Sequence, residues 1–254
     1  MRFASLGSGS QGNSLVVEAQ STRILLDCGF GLAATEARLA RLGLVAGDIS
    51  ALVVTHEHDD HIGGVARLAR RHGIPVWMTP GTLAGFETLF ADVACVRMVH
   101  NYEAFEIGGL QVYPFPVPHD AREPAQYVFS DGASRLGVLT DVGCSTRHIE
   151  SMLSGCDALV LECNHDTEML RASSYPQKLR NRIAGRFGHL DNDAAAELLR
   201  SLDNGKLKHM VAAHLSQENN RPDLAQAALA AVLNCAPDWI AIADQEQGLG
   251  WRQL

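Results

Sequence analysis

The chain has 254 residues, 46% of them apolar and 20% charged, with 23 glycines, enough to bury a large α/β core. No apolar run approaches the roughly 20 residues of a membrane span. The N-terminus lacks the apolar stretch of about 7–15 residues of a signal peptide, so a cytoplasmic protein without membrane attachment is expected. A net charge of −8 excludes general attraction to a polyanion.

In chain order, strands are predicted at Arg2–Ser5, Leu15–Glu18 and Arg23–Asp27, with Gly7, Gly9 and Gly12 as turn residues between the first two. Apolar residues at helical spacing follow at Leu32–Leu42, Ile62–His72 and around Gly81–Leu89. From Phe105 to Leu139 the pattern alternates as in antiparallel strands, and helices are predicted at Thr146–Leu153, Asp191–Leu202 and Pro222–Leu233. Neither repeats nor an obvious linker interrupt the chain, and residues 1–254 read as one domain of sheets packed face to face with helices outside. Six scattered cysteines without a Cys-x-x-Cys pair read as inert thiols.

Four short apolar runs end in a residue able to bind metal or move protons. These are 51–55 into His56, 136–140 into Asp141, 158–161 into Glu162, and 210–213 into His214. Buried strands that deliver polar groups to one sheet edge are how α/β proteins build sites. The first run opens the strongest motif, His56-Glu57-His58-Asp59-Asp60-His61. A tight turn there can aim His56 and His58 at one ion and Asp60 and His61 at another. Imidazole and carboxylate suit zinc, manganese or iron without a thiolate. His119, Asp141 and His214 are the natural additions. Asp141 can bridge ions held the roughly 3.5–4 Å apart that two-metal hydrolases use.

With these residues in place, the sequence resembles metallo-β-lactamase-fold proteins through Leu25-Leu26-Asp27-Cys28-Gly29, the 56–61 motif, His119, Thr140-Asp141-Val142-Gly143 and His214. The resemblance implies an αββα sandwich, two mixed sheets flanked by helices, with Asp27 supporting the metal ligands from behind. Asp141 stands where lactamases of this fold place cysteine, which disfavours lactam cleavage and leaves thioester hydrolysis of the glyoxalase II kind open. Glu162 and the Gly188-His189-Leu190 stretch are similar to two motifs of ribonuclease Z. There a glutamate–histidine pair beside the metals helps protonate the leaving oxygen, a task that phosphodiester cleavage requires.

A more specific likeness is to the YycJ family, also called WalJ. It is carried by Ser5–Ser14, Pro118-His119-Asp120-Ala121, Glu162-Cys163-Asn164-His165-Asp166, Gly188-His189-Leu190 and His214–Asn220. It implies a 5′-to-3′ DNA exonuclease with Asn164 and His165 among its substrate contacts. Between Glu162 and His189 runs a basic, acid-free segment containing Arg171, Lys178, Arg180, Arg182 and Arg186. It reads equally as a solvated helix face or as a strand-binding flank in which Arg180, Arg182 and Arg186 hold phosphates. Tyr175 is there to stack on a base or simply to pack.

The expected mechanism places His56, His58 and His119 on one divalent ion, Asp60, His61 and His214 on the other, and Asp141 between them. Asp60 orients the attacking water, and His189, supported by Glu162, protonates the departing oxygen. The competing reading is a small-molecule hydrolase of thioesters, lactones or cyclic phosphodiesters.

Overall fold

The computed structural model describes residues 1–254 and contains two seven-stranded sheets. The first holds β1 (Arg2–Gly7), β2 (Ser14–Ala19), β3 (Thr22–Leu26), β4 (Ala51–Val53), β5 (Val76–Met78) and β6 (Val96–Met98). The second holds β7 (Phe105–Ile107), β8 (Leu110–Pro116), β9 (Ala125–Ser130), β10 (Arg135–Leu139), β11 (Ala158–Glu162), β12 (His209–Ala213) and β13 (Ala241–Ile242). The chain then returns to the first sheet, where β14 (Leu249–Gln253) pairs antiparallel with β1.

Both sheets are mixed for the same reason. Short turns join β1–β2–β3 and β7–β8–β9–β10 antiparallel, whereas helical connections make β3–β4–β5–β6 and β10–β11–β12–β13 parallel. Every crossover therefore delivers its strand's C-terminal end to a shared edge.

Three apolar layers hold the sandwich. The middle one lies between the sheets and includes Phe3, Ile24, Tyr127, Phe129 and Val160. A second packs helices 147–153, 192–201 and 222–233 on the outer face of the second sheet, through residues such as Ile149, Leu198 and Leu229. A third packs helices 32–41 and 65–72 on the first, through Leu39, Leu68 and Leu52. Burying one such side chain contributes roughly 1.5–3 kcal/mol. Tyr127 adds a polar tie: its buried hydroxyl donates across the sandwich to the Val54 carbonyl at 2.8 Å, just before the His56 turn.

Helix 32–41, the antiparallel meander, and the helices beginning at Arg147, Asn192 and Pro222 lie where the sequence patterns put them. Two expected helices are broken. Ile62–His72 is two pieces, Asp59–Ile62 and Val65–His72, because Gly63-Gly64 packs against neighbouring backbone; a Cβ on Gly64 would lie 1.9 Å from the Phe30 carbonyl. The 81–89 helix is likewise two short turns, Pro80–Ala84 and Glu87–Phe90. β5, β6, β13, β14 and the short helices Thr167–Ala172 and Gln177–Ile183 carry too few periodic residues to be read in advance. All six cysteines are unpaired. No helix is long and apolar enough to cross a membrane.

Candidate metal centre

Five segments reach the shared edge of the sheets. The turn after β4 contributes His56, His58, Asp60 and His61; the loop after β8 contributes His119; β11 ends at Glu162, and Asp141 and His214 lie just past the ends of β10 and β12. Asp27, Asp141 and His214 all have left-handed backbone, with φ of 58°, 54° and 54°. Non-glycine residues adopt it at a cost of order 1–3 kcal/mol. Each lies one or two residues past a strand end, so the unusual φ turns the chain sharply at the edge while the side chain stays in the site.

Two clusters result. In one, His56 Nε2 lies 3.0 Å and His119 Nε2 3.3 Å from His58 Nδ1. In the other, Asp60 Oδ2 lies 3.6 Å from His61 Nε2 and 3.5 Å from His214 Nε2. Asp141 stands between them, with Oδ2 2.9 Å from His61 Nε2 and Oδ1 3.8 Å from His119 Nε2. The seven residues expected to bind metal are thus brought together, along with Glu162 and His189.

The far side of each buried ring is held in place. His61 Nδ1 faces Asp27 Oδ2 at 2.8 Å, His214 Nδ1 faces Glu162 Oε1 at 3.0 Å, His119 Nδ1 faces the Gly188 carbonyl at 3.0 Å, and His56 Nδ1 faces the Thr55 hydroxyl at 2.9 Å. Acceptors behind Nδ1 fix the tautomer that leaves Nε2 free for an ion. Asp27 is itself fixed by the Thr55 amide and hydroxyl, at 2.8 and 2.9 Å.

Several observations fit divalent cations. His214 Nε2 is buried without a hydrogen-bond partner, and Asp141 Oδ2, equally buried, has only the poorly aligned His61 ring beside it, a costly state for polar atoms. Ligand nitrogens about 2.0–2.1 Å from a tetrahedral ion lie about 3.3 Å from one another, near the spacings in the three-histidine cluster. Charge points the same way. Burial pushes the His61 imidazole down, yet the Asp141 and Asp27 carboxylates hold it well above the usual histidine range. His214, similarly opposed by burial, is carried to about 10 by Asp141, Asp60 and Glu162. Carboxylates that strongly retain protons on neighbouring imidazoles will exchange them for metal. The site is of the dinuclear divalent type, with oxygen and nitrogen donors suited to zinc or manganese.

Glu162 joins the clusters to His189. One oxygen lies 2.7 Å from His189 Nδ1, and the other accepts the Val142 and Leu190 amides at 2.9 and 3.2 Å. His189 Nδ1 is also 3.6 Å from Asp141 Oδ1. Burial depresses the His189 imidazole, but the Glu162 carboxylate outweighs it and raises the group above its ordinary value.

The expected substrate contacts separate on inspection. Arg182 and Arg186 are exposed. Arg182 Nε reaches Asp120 Oδ2 at 2.6 Å, and Asp120 Oδ1 lies 3.5 Å from His119 Nε2. Arg180 instead spends its amino groups on the Arg171 carbonyl and the Gln177 side chain. Asn164 is buried and donates to the His214 carbonyl at 3.2 Å, so it braces a strand end and does not face a substrate. His165 is also buried, beside Asn164, and its backbone pairs with Asp191. Tyr175 is half-buried.

Two residues went unassigned in the sequence. Asn13, in the Gly/Ser loop, donates to the Asp60 carboxylate at 3.3 Å and accepts from Ser8, whose hydroxyl oxygen in turn accepts the His214 amide. Its signal was the 5–14 stretch, where a turn asparagine and a bracing asparagine look the same. Asp120 adjoins His119 in the Pro118–Ala121 stretch, and no spacing marked it.

The β-lactamase superfamily domain matches residues 22–215. Exodeoxyribonuclease YycJ of Bacillus anthracis is 36% identical over 237 residues, covering 92% of this chain and 89% of that protein. Exodeoxyribonuclease WalJ of Streptococcus pneumoniae is 33% identical over 229 residues, covering 88% and 85%. The metallo-β-lactamase fold protein YhfI from Bacillus subtilis, at 15% identity, superposes with a TM-score of 0.77 over 99% of this chain and 98% of its own, which shows the shared fold. The chain belongs to the metallo-β-lactamase superfamily and, within it, to the family of the YycJ and WalJ proteins.

Proposed function

We propose that this metal-dependent hydrolase is a DNA exonuclease that works from the 5′ end. The observation that carries the reading is the Glu162–His189 pair, 2.7 Å apart and set directly against the metal clusters. Phosphodiester cleavage expels an alkoxide, which needs a proton at the moment of departure; a thiolate needs it far less.

When bound, the ions supply Lewis-acid stabilisation of phosphoryl charge and lower the pKa of water. His56, His58 and His119 would hold one ion, and Asp60, His61 and His214 the other, with Asp141 shared. Asp60 is open, at 25% side-chain exposure against 4% or less for Asp27, Asp141 and Glu162, and Asp120, at 32%, is taken up by Arg182. Asp60 is the one able to meet and orient the attacking water. Glu162 holds the Nδ1 proton of His189, which leaves Nε2 to deliver its proton to the departing oxygen. Arg182 and Arg186, exposed beside the site, take backbone phosphates. In this reading the protein acts in the cytoplasm, where bacterial DNA lies.

The test uses end-labelled single- and double-stranded DNA and RNA, in manganese and in zinc, with Asp60→Ala as control and a chromogenic thioester alongside. Shortening of DNA from its 5′ end by the wild type alone is expected. Thioester turnover with untouched DNA would overturn the reading.

A further inference from the structure

Seven of the 8 phenylalanines are buried or half-buried; Phe187 alone is exposed, at 56%. A lone surface phenylalanine ordinarily needs no explanation. This one differs in where its backbone is held. The Phe187 carbonyl accepts the Asp120 amide at 3.0 Å, the Gly188 carbonyl faces His119 Nδ1 at 3.0 Å, and the His189 amide donates to the Ile183 carbonyl at 2.9 Å.

The segment is also wedged sterically. A Cβ on Gly188 would meet the Ile183 and Arg182 carbonyls at 2.1 and 2.2 Å. One on Gly143, just past Asp141, would meet the Arg186 carbonyl at 2.3 Å and the Gly188 amide nitrogen at 2.6 Å. A rigid backbone thus displays an aromatic ring to solvent between an exposed arginine, Arg186, and the histidine His189. Two residues separate no more than about 7.6 Å between Cα atoms, so Phe187 is carried on the same short stretch as the proton donor His189.

We infer that Phe187 is a stacking residue for a nucleobase of the bound strand, adjoining the scissile phosphate. The inference rests on the nuclease reading and deepens it. Any base has a π-face, so a phenyl ring grips the strand without selecting sequence, while Arg182 and Arg186 hold the backbone. A ring carried on a backbone already held in place costs little further ordering of the chain on binding. Phe187 is a positioning residue: it touches a base and leaves the reacting atoms to the metal site and His189.

The experiment compares a 5′-phosphorylated single-stranded oligonucleotide with one carrying abasic sites at its first positions, on metal-loaded wild type, Phe187→Ala, Phe187→Leu and Phe187→Trp. Phe187→Ala raises KM on the intact strand roughly tenfold, within the range for loss of one base–aromatic stack, and leaves kcat and metal content unchanged. Phe187→Leu behaves like Phe187→Ala, and Phe187→Trp restores the wild-type KM. On the abasic strand the wild type already shows the raised KM, and Phe187→Ala adds nothing. Equal losses on both strands, or none on either, overturn the inference while the nuclease reading stands. A wild type inert on both strands removes that reading, and this inference with it.

Discussion

Strand β2 has a carboxylate environment at each end, and the two are built oppositely. Near its C-terminal end, Glu18 is paired across β1 and β3 with Arg2 and Arg23, at 2.6 and 2.5 Å. At the other end, Ser14 bonds the carbonyl of Asp27, and the only ionisable bases that Asp27, Asp60, Asp141 and Glu162 meet are histidines; no arginine or lysine comes within ion-pairing distance of them. Arginine is permanently charged and cannot give way. Imidazole can lose its proton and present a lone pair. The pair around Glu18 is therefore a finished structural contact, while the carboxylates at the site have charge left over for exchangeable cations.

Removing the carboxylate common to both clusters should break this contrast most severely. Asp141→Ala is expected to cost at least about a thousandfold in phosphodiester turnover, as for loss of a member of a cooperating catalytic set. Elemental analysis should show both ions depleted. Full metal content in that variant would remove Asp141 from its bridging place.

His189 separates charge balance from proton delivery. His189→Ala should slow DNA hydrolysis by roughly 10²–10⁴-fold, the usual contribution of a positioned acid, with metal content intact. A p-nitrophenyl phosphodiester, whose leaving group departs without a proton, should be far less affected. Equal losses on the two substrates would remove the proton-donor role.

Asp27 sharpens the comparison by one step of distance, since it acts through the His61 ring. Asp27→Asn keeps the shape, removes the charge, and should weaken metal binding by about 10–100-fold in a chelator competition. An unchanged affinity would mean that the Asp27 charge adds nothing to the hold of His61 on an ion.

The sequence showed the site unevenly, and the reason is geometric. His56, His58, Asp60 and His61 lie in one turn, so their spacing alone reported convergence. Asp141, Glu162 and His214 showed because parallel strands bring their ends to one edge, and four apolar runs stopped at such residues. Asn13 and Asp120 did not show, because their partners are 47 and 62 positions away and neither belongs to a periodic pattern. That Arg180 and Asn164 bond back onto the chain was hidden by the same limit. Charge and proximity in sequence identify a basic or polar stretch, but which side chains turn back onto the chain depends on local helix geometry. The left-handed backbone at residues 27, 141 and 214 left no trace, since aspartate and histidine at a strand end are ordinary.

The smallest effect belongs to Glu18, and there the comparison predicts silence at the site. Glu18→Gln should leave metal content and turnover at wild-type levels while lowering stability by about 1 kcal/mol or less, as for an ion pair whose arginines stay partly open to solvent. The sign of its pH dependence follows from the direction of its shift. Burial works to raise the Glu18 carboxyl, but hydrogen bonds from Arg2 and Arg23 outweigh it and hold the group below its ordinary value. Folding then gains from its ionised form, so the contribution is complete above the unfolded carboxyl range and disappears as pH falls through the lowered folded value. Urea melts of the two proteins should differ at neutral pH and converge in acid. A gap that persisted or widened in acid would mean that packing, rather than charge pairing, is what Glu18 supplies, and the contrast between the two ends of β2 would lose its electrostatic basis.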